Sequence, residues 1–140
     1  MDLFGDTLVG IEFKSIADGY FFTNEFSQNS EIHIIDSFPL SPGRHLILIN
    51  GSLENLKPFF IKLKKTKSLT SKLYDLCLIE KIHESLFSGL YGLLKTELTY
   101  ELLVIETKSN CSVLEITNKI LSETDEISEI LTNSLKNNNE

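Results

Sequence analysis

Leu8-Val9-Gly10-Ile11-Glu12-Phe13-Lys14-Ser15 decides how this chain is understood, because it returns as Leu102-Leu103-Val104-Ile105-Glu106-Thr107-Lys108-Ser109. The correspondence runs on without a gap: Ile11, Glu12, Lys14, Ser15, Thr23 and Asn24 meet Ile105, Glu106, Lys108, Ser109, Thr117 and Asn118 at one constant offset of 94 residues. A period of that length marks a duplicated domain, since it is too long for a solenoid unit. The second copy spans only about 40 residues of the sequence, so it is expected to hold roughly half the elements of the first.

The chain has 140 residues, 41% of them hydrophobic and 24% charged, which suits one good core with an appended part. A net charge of -7 argues against phosphate binding as the main task, because nucleic-acid surfaces need clustered Lys and Arg. The basic run Lys62, Lys64, Lys65, Lys67 and Lys72 is expected to be a solvated helix end. Cys77 and Cys111 lie far apart, in no CxxC pattern and with no histidine at metal-ligand spacing, so they are expected to be buried small hydrophobes. No leader-like stretch and no apolar run near 18 residues is present, which predicts a chain kept in a reducing cytoplasm, with no membrane partner.

Working outward from the opening motif, Thr7 to Lys14 alternates as a strand, and Ser15 follows as an N-cap with Asp18 as a weak capping-box partner. Ile16, Gly19, Tyr20, Thr23 and Phe26 then fall on one helical stripe, widened by Ala17 and Phe21, and the helix should end near Gln28 to Ser30. Glu31 to Phe38 and His45 to Asn50 are predicted strands. Pro39-Leu40-Ser41-Pro42-Gly43-Arg44 is predicted to connect them as an antiparallel pair. Leu53, Leu56, Phe59, Phe60 and Leu63 give a second amphipathic helix, in which Pro58 predicts a kink or a late start. Leu73 to Ile79 is a fourth strand, with Leu76 and Leu78 facing away from Cys77 and Ile79. The fold class is therefore α/β in the α+β sense: a β-α-β-β-α-β antiparallel-rich sheet with both helices on one face, followed by a partial repeat.

The predicted division is a complete domain over 1–81, an apolar connector over 82–96, a partial second repeat over 97–135 and a disordered tail over 136–140. The connector, carrying Leu86, Phe87 and Leu90, is too apolar to stay uncovered and should form a short docked helix broken by Gly89 and Gly92. In the second copy, Thr99 to Thr107 repeats the strand, and Ser109 to Glu123 repeats the helix with Val113, Ile116, Ile120 and Leu121 inward. Glu126 to Leu135 favours continued helix. Such a half-unit cannot bury its own sheet face, so it must lean on the first domain or on another subunit.

Lys14-Ser15-Ile16-Ala17-Asp18-Gly19, then Ser41-Pro42-Gly43-Arg44-His45-Leu46-Ile47-Leu48-Ile49-Asn50-Gly51, then Ile79-Glu80-Lys81-Ile82-His83 resemble the successive signatures of bacterial microcompartment shell proteins. The tandem-domain type is the closer likeness, and it covers most of Leu8 to Glu123, with the second domain truncated. The resemblance implies a non-enzymatic shell component, forming a trimer or hexamer-like homo-oligomeric ring that tiles with other shell proteins in or at a microcompartment. It also implies a central pore for small metabolites, lined by Ser41, Pro42 and Gly43 with Arg44 behind. A Gly/Pro turn suits that place, because it lets backbones approach an axis closely and offers N–H groups to anionic solutes. Without the family, the same turn is a plain hairpin connection. Some tandem shell proteins hold an iron–sulfur cluster on a cysteine where Ser41 stands, and since a serine hydroxyl is a poor iron ligand, no cofactor is expected. The family's edge-packing lysine aligns with Gln28 in the first copy and Ser122 in the second.

Two other classes compete. A small-ligand regulatory module is compatible with a ferredoxin-like sheet, though Ser41-Pro42-Gly43-Arg44 is too short for a phosphate loop. An enzyme is not supported: His33, His45 and His83 stand at no recurring spacing from a carboxylate or nucleophile, so no catalytic or metal residue is named. Glu12 and Glu106 each precede a lysine by two residues, which favours a structural cross-strand pair over paired catalytic carboxylates.

Overall fold

A computed structural model describes residues 4–90 and 106–123. The elements are β1 (Thr7–Phe13), α1 (Ile16–Ser27), β2 (His33–Leu40), β3 (Arg44–Gly51), α2 (Leu53–Lys65), α3 (Lys67–Thr70), β4 (Leu73–Ile79), α4 (Glu84–Leu90) and α5 (Asn110–Glu123). The four strands make one antiparallel sheet in the order β2-β3-β1-β4, so the opening motif is a central strand. Thr7 to Phe13 is buried throughout because it has neighbours on both edges and helices on both faces.

Alternation sorts the apolar residues onto two faces. Val9, Ile11, Phe13, Ile47 and Ile49 point to a layer closed by α1 and α2, with Leu56, Leu63 and the aromatic rings of Phe22, Phe26 and Phe59. Leu8, Leu46, Leu48, Cys77 and Ile79 point the other way, onto Leu86, Phe87 and Leu90 of α4 and Cys111, Leu114 and Leu121 of α5. Both helices of the first copy therefore share one face. Helices α4 and α5 cover the opposite face, so α5, which repeats α1 in sequence, packs on the sheet of its own chain.

Local chemistry explains the helix starts. Ser15 accepts from the Asp18 N–H at 3.1 Å, and Ser52 accepts from the Asn55 N–H at 3.3 Å. Ser109 does the same for α5, taking the Ser112 N–H at 3.1 Å. Lys62, Lys64 and Lys65 lie in the last turn of α2, where they complement its dipole.

Several expectations are corrected. Strand β2 runs through Pro39 and Leu40, leaving only Ser41-Pro42-Gly43 between strands; it is outermost among the described strands, a place where a residue without an N–H is tolerated. Helix α2 begins at Leu53, so Pro58 lies inside it and does not mark a late start. Gly89 does not break α4 but is buried within it. The inner face of α1 is turned from the expected one: Gly19 is buried, Phe22, Thr23 and Phe26 are half-buried, and Ile16, Ala17, Tyr20 and Phe21 are exposed. On α5 the buried residues are Cys111, Leu114, Thr117, Asn118 and Leu121, while Ile116 is exposed and Val113 and Ile120 are half-buried. Of the strand predicted over Thr99 to Thr107, Glu106 and Thr107 are described and are not in a strand; the rest of it, Gly92, the helix over Glu126 to Leu135 and the tail lie outside the described residues.

Both outer strands are irregular. On β4, Asp75 faces Glu12 and Leu73 faces Phe13, so Tyr74 is an extra residue; on β2, Ile34 faces Ile49 and Asp36 faces Leu48, so Ile35 is another. Each is a β-bulge.

Candidate functional site

Two places gather polar side chains: the seam between the first copy and α5, and the layer beneath α1. The seam is built by the repeated motif itself. Glu12 lies at the end of β1, fully buried, where the N-terminus of α5 arrives. Its Oε2 accepts from the Asn110 N–H at 3.1 Å and its Oε1 from Asn110 Nδ2 at 3.0 Å, across 98 residues of sequence. Arg44 Nη1 stands 3.4 Å from Oε1, and its guanidinium lies over the Tyr74 ring, 3.9 Å from the centroid. The Tyr74 hydroxyl donates to the Lys108 carbonyl at 2.9 Å, and the Ser109 hydroxyl donates to Asp75. Two carboxylates thus meet the N-terminal turn of α5, where partial positive charge favours them. The lysine two residues beyond Glu12 is not its partner, contrary to expectation. Lys14 Nζ donates instead to the Ser71 carbonyl at 3.2 Å, because Lys14 lies beyond the end of β1 and past the register shift at Glu12/Phe13, where strand alternation no longer sets it beside Glu12.

Burial pushes the Glu12 carboxyl above the ordinary carboxylate range; Arg44 and the two Asn110 donors pull part of that back, and Asp75 adds to the rise. Between the ordinary and the raised value, the folded state binds more protons at this group than the unfolded chain does. Stability from this group is full below the ordinary glutamate range and declines as pH rises through the folded value. Urea midpoints of wild type and Glu12→Gln, compared from pH 4 to 8, should show the wild type losing ground relative to the variant as pH rises. A constant difference would contradict it.

Beneath α1, a chain of hydroxyls leads to a buried imidazole. Thr23 Oγ1 donates to the Gly19 carbonyl at 2.7 Å and lies 2.8 Å from Ser37 Oγ, which lies 2.7 Å from His45 Nε2. Thr23 has one proton and has given it away, so Ser37 must donate to Thr23 and His45 Nε2–H must donate to Ser37. The ring nitrogen beside the serine is therefore the protonated one and cannot take the serine proton. His45 Nδ1 has no hydrogen-bond partner among the described residues, and burial pushes the imidazole pKa down. The group braces the packing of α1 on the sheet; Tyr20 caps it, its ring centroid 4.8 Å from that of the imidazole and the two planes 63° apart.

Ser41, Pro42 and Gly43 are exposed at the β2–β3 turn, closed by the Gly43 N–H to the Leu40 carbonyl at 2.9 Å. Gly43 has φ of +89° and open space where a Cβ would stand, so the turn requires glycine for its backbone and not for lack of room. Arg44, named with them from the sequence, has its side chain turned inward to Glu12 and Tyr74, 27% exposed. Gln28 and Ser122 are exposed at the ends of α1 and α5, at equivalent places in the repeat. Tyr74, Asp75 and Asn110 were not singled out by sequence reasoning. Their partners are distant in sequence, and only the repeat of Glu12 as Glu106 pointed to this region. No group of three metal-ligating side chains occurs among the described residues, and no helix there is long and apolar enough to cross a membrane.

No family model matches the sequence, and no curated protein matches it by sequence. Among solved structures, a microcompartments protein from Desulfitobacterium hafniense DCB is similar, with a TM-score of 0.62 at 15% identity over 85% of this chain. The match covers 65% of that protein. A four-stranded antiparallel sheet with helices, in an α+β arrangement, is the fold this chain shares with that microcompartments protein.

Proposed function

We propose that this protein is a structural component of a bacterial microcompartment shell. It works as a homo-oligomeric ring, trimeric or hexamer-like, whose Ser41, Pro42 and Gly43 turns surround a pore for small metabolites. Each chain contributes the four-stranded sheet domain together with the helix of the repeated segment that packs on it. Gln28 and Ser122 stand where one ring meets its neighbours or other shell proteins.

The observation that carries this reading is how α5 docks. Its buried residues Cys111, Leu114, Thr117, Asn118 and Leu121 have, at the 94-residue offset, the counterparts Ala17, Tyr20, Thr23, Asn24 and Ser27 on α1. Four of these five are exposed, and Thr23 is half-buried. The face that one copy's helix uses to cover a sheet is the face that the other copy's helix turns outward. Ile16, Tyr20 and Phe21, 36%, 58% and 57% exposed, give it an apolar surface beyond what a solvated helix needs. A contact made once within the chain and left open once is heterologous, and heterologous contacts close into rings when the rotation permits.

Light scattering on a sizing column should show trimers or hexamers, and electron microscopy should place residues 41–43 around the axis. The double variant Ala17→Arg/Phe21→Glu should be monomeric yet folded, with an unfolding midpoint that no longer depends on protein concentration, because both residues are exposed. A wild type that stays monomeric at high concentration sinks the proposal.

A further inference from the structure

Cys77 on β4 and Cys111 in the first turn of α5 meet across the seam between the two copies. Both lie against Gly10 of β1, the residue paired with Cys77 in the sheet. A Cβ on Gly10 would stand 2.8 Å from Cys77 Sγ and 3.2 Å from Cys111 Sγ, so the two sulfurs fill the space that this glycine leaves. Cys111 Sγ also donates to the Gly10 carbonyl at 3.4 Å. Both thiols are free, at 2% and 0% exposure.

We infer that Cys77 and Cys111 form a disulfide on exposure to a small-molecule disulfide, and that this bond staples the second copy's helix to the first copy's sheet. The inference does not depend on the shell reading, since it concerns one chain. The exchange balances as follows. One cysteine, as thiolate, attacks a sulfur of oxidised glutathione, forming a mixed disulfide and releasing one glutathione thiolate. The second cysteine, as thiolate, attacks the protein sulfur of that mixed disulfide and releases the other. Two protein thiols are oxidised, one glutathione disulfide is reduced to two thiols, and the cysteine protons pass to the departing thiolates.

Closure must wait for motion of α5. The hydrogen bond with Cys77 and burial together push the Cys111 thiol well up from its ordinary value, and only the thiolate attacks. Lifting the first turn of α5 breaks the Asn110 contacts to Glu12 and wets both sulfurs, so the oxidation rate reads out how often the half-repeat leaves the sheet. Once formed, the bond closes a chain loop that includes α4 and the segment between the copies, which restricts the unfolded chain more than the folded one.

The test is incubation of the native full chain with oxidised glutathione, followed by thiol titration and peptide mapping without reductant. The expected product is a Cys77–Cys111 linked peptide, an intact mass lower by two hydrogens and an unfolding midpoint raised by roughly 10 °C, restored by dithiothreitol. Cys111→Ala should fold, yet show neither the linked peptide nor the shift. Glutathione adducts left on single cysteines, chain-to-chain disulfides, or thiols that stay free in the native protein while reacting in denaturant would each overturn the inference. So would a linked pair with an unchanged midpoint.

Discussion

Gly19→Ala should lower the stability of the protein by about 2–4 kcal/mol, although alanine is the better helix former by about 1 kcal/mol. The reason is the close approach of α1 to the sheet. A Cβ at this position would lie 2.0 Å from His45 Cγ and 2.3 Å from His45 Cβ, far inside contact distance. The imidazole has nowhere to go: it is fully buried and tied to Ser37 at 2.7 Å. Either α1 lifts, opening the layer over Phe13 and Ile47, or the ring swings and the Thr23–Ser37–His45 chain breaks with donors left unpaired in the interior. Urea denaturation of wild type and variant measures the cost. An equal or higher midpoint for the alanine variant would mean that α1 does not pack through this glycine.

Leu114→Ala should cost about 2–5 kcal/mol, whereas Ile116→Ala should cost under about 1 kcal/mol. The helical periodicity of the sequence gives the opposite ranking, which makes the pair decisive. Leu114 is fully buried in the layer with Leu86 and Cys77, its Cδ1 lying 3.6 Å from the point where a Cβ on Gly10 would stand, while Ile116 is 40% exposed. Because α5 comes from the second copy and closes a face of the first, the loss should appear locally before it appears globally. Hydrogen exchange should show α5 and α4 losing protection in Leu114→Ala while β1 and β3 keep theirs. Equal protection loss in all elements, or a larger effect at Ile116, would place a different face of the helix on the sheet.

What the sequence made legible was the sheet. Strands β1 and β4 stand where alternation put them, and the opposition of Leu76 and Leu78 to Cys77 and Ile79 holds, because a period of two leaves little freedom in assigning faces. The capping by Ser15 was legible too, since a cap is a local bond. Helix faces were not. On α1 the aromatic residues Tyr20, Phe21 and Phe22 are consecutive and spread around the cylinder, so hydrophobicity alone cannot say which of them turns inward. On α5 the decisive residues include polar ones. Asn118 is buried because its Oδ1 accepts the His83 N–H at 2.7 Å and its Nδ2 donates to the Lys81 carbonyl at 3.0 Å, holding the start of the connector. An asparagine that completes another segment's backbone bonds looks, in a sequence, like any surface asparagine. The seam was hidden for the same reason: Glu12 finds Arg44 and Asn110 only after the chain has folded.

The bulges at Ile35 and Tyr74 sit on the two outermost of the described strands, and nowhere else among the described strand pairings. A sheet margin with regular spacing is a template on which another molecule's strand can zip, and crowded proteins aggregate that way. Here each margin carries one residue too many, and β2 adds a proline that offers no donor. Regular strand-by-strand pairing is thereby discouraged at these positions of β2 and β4.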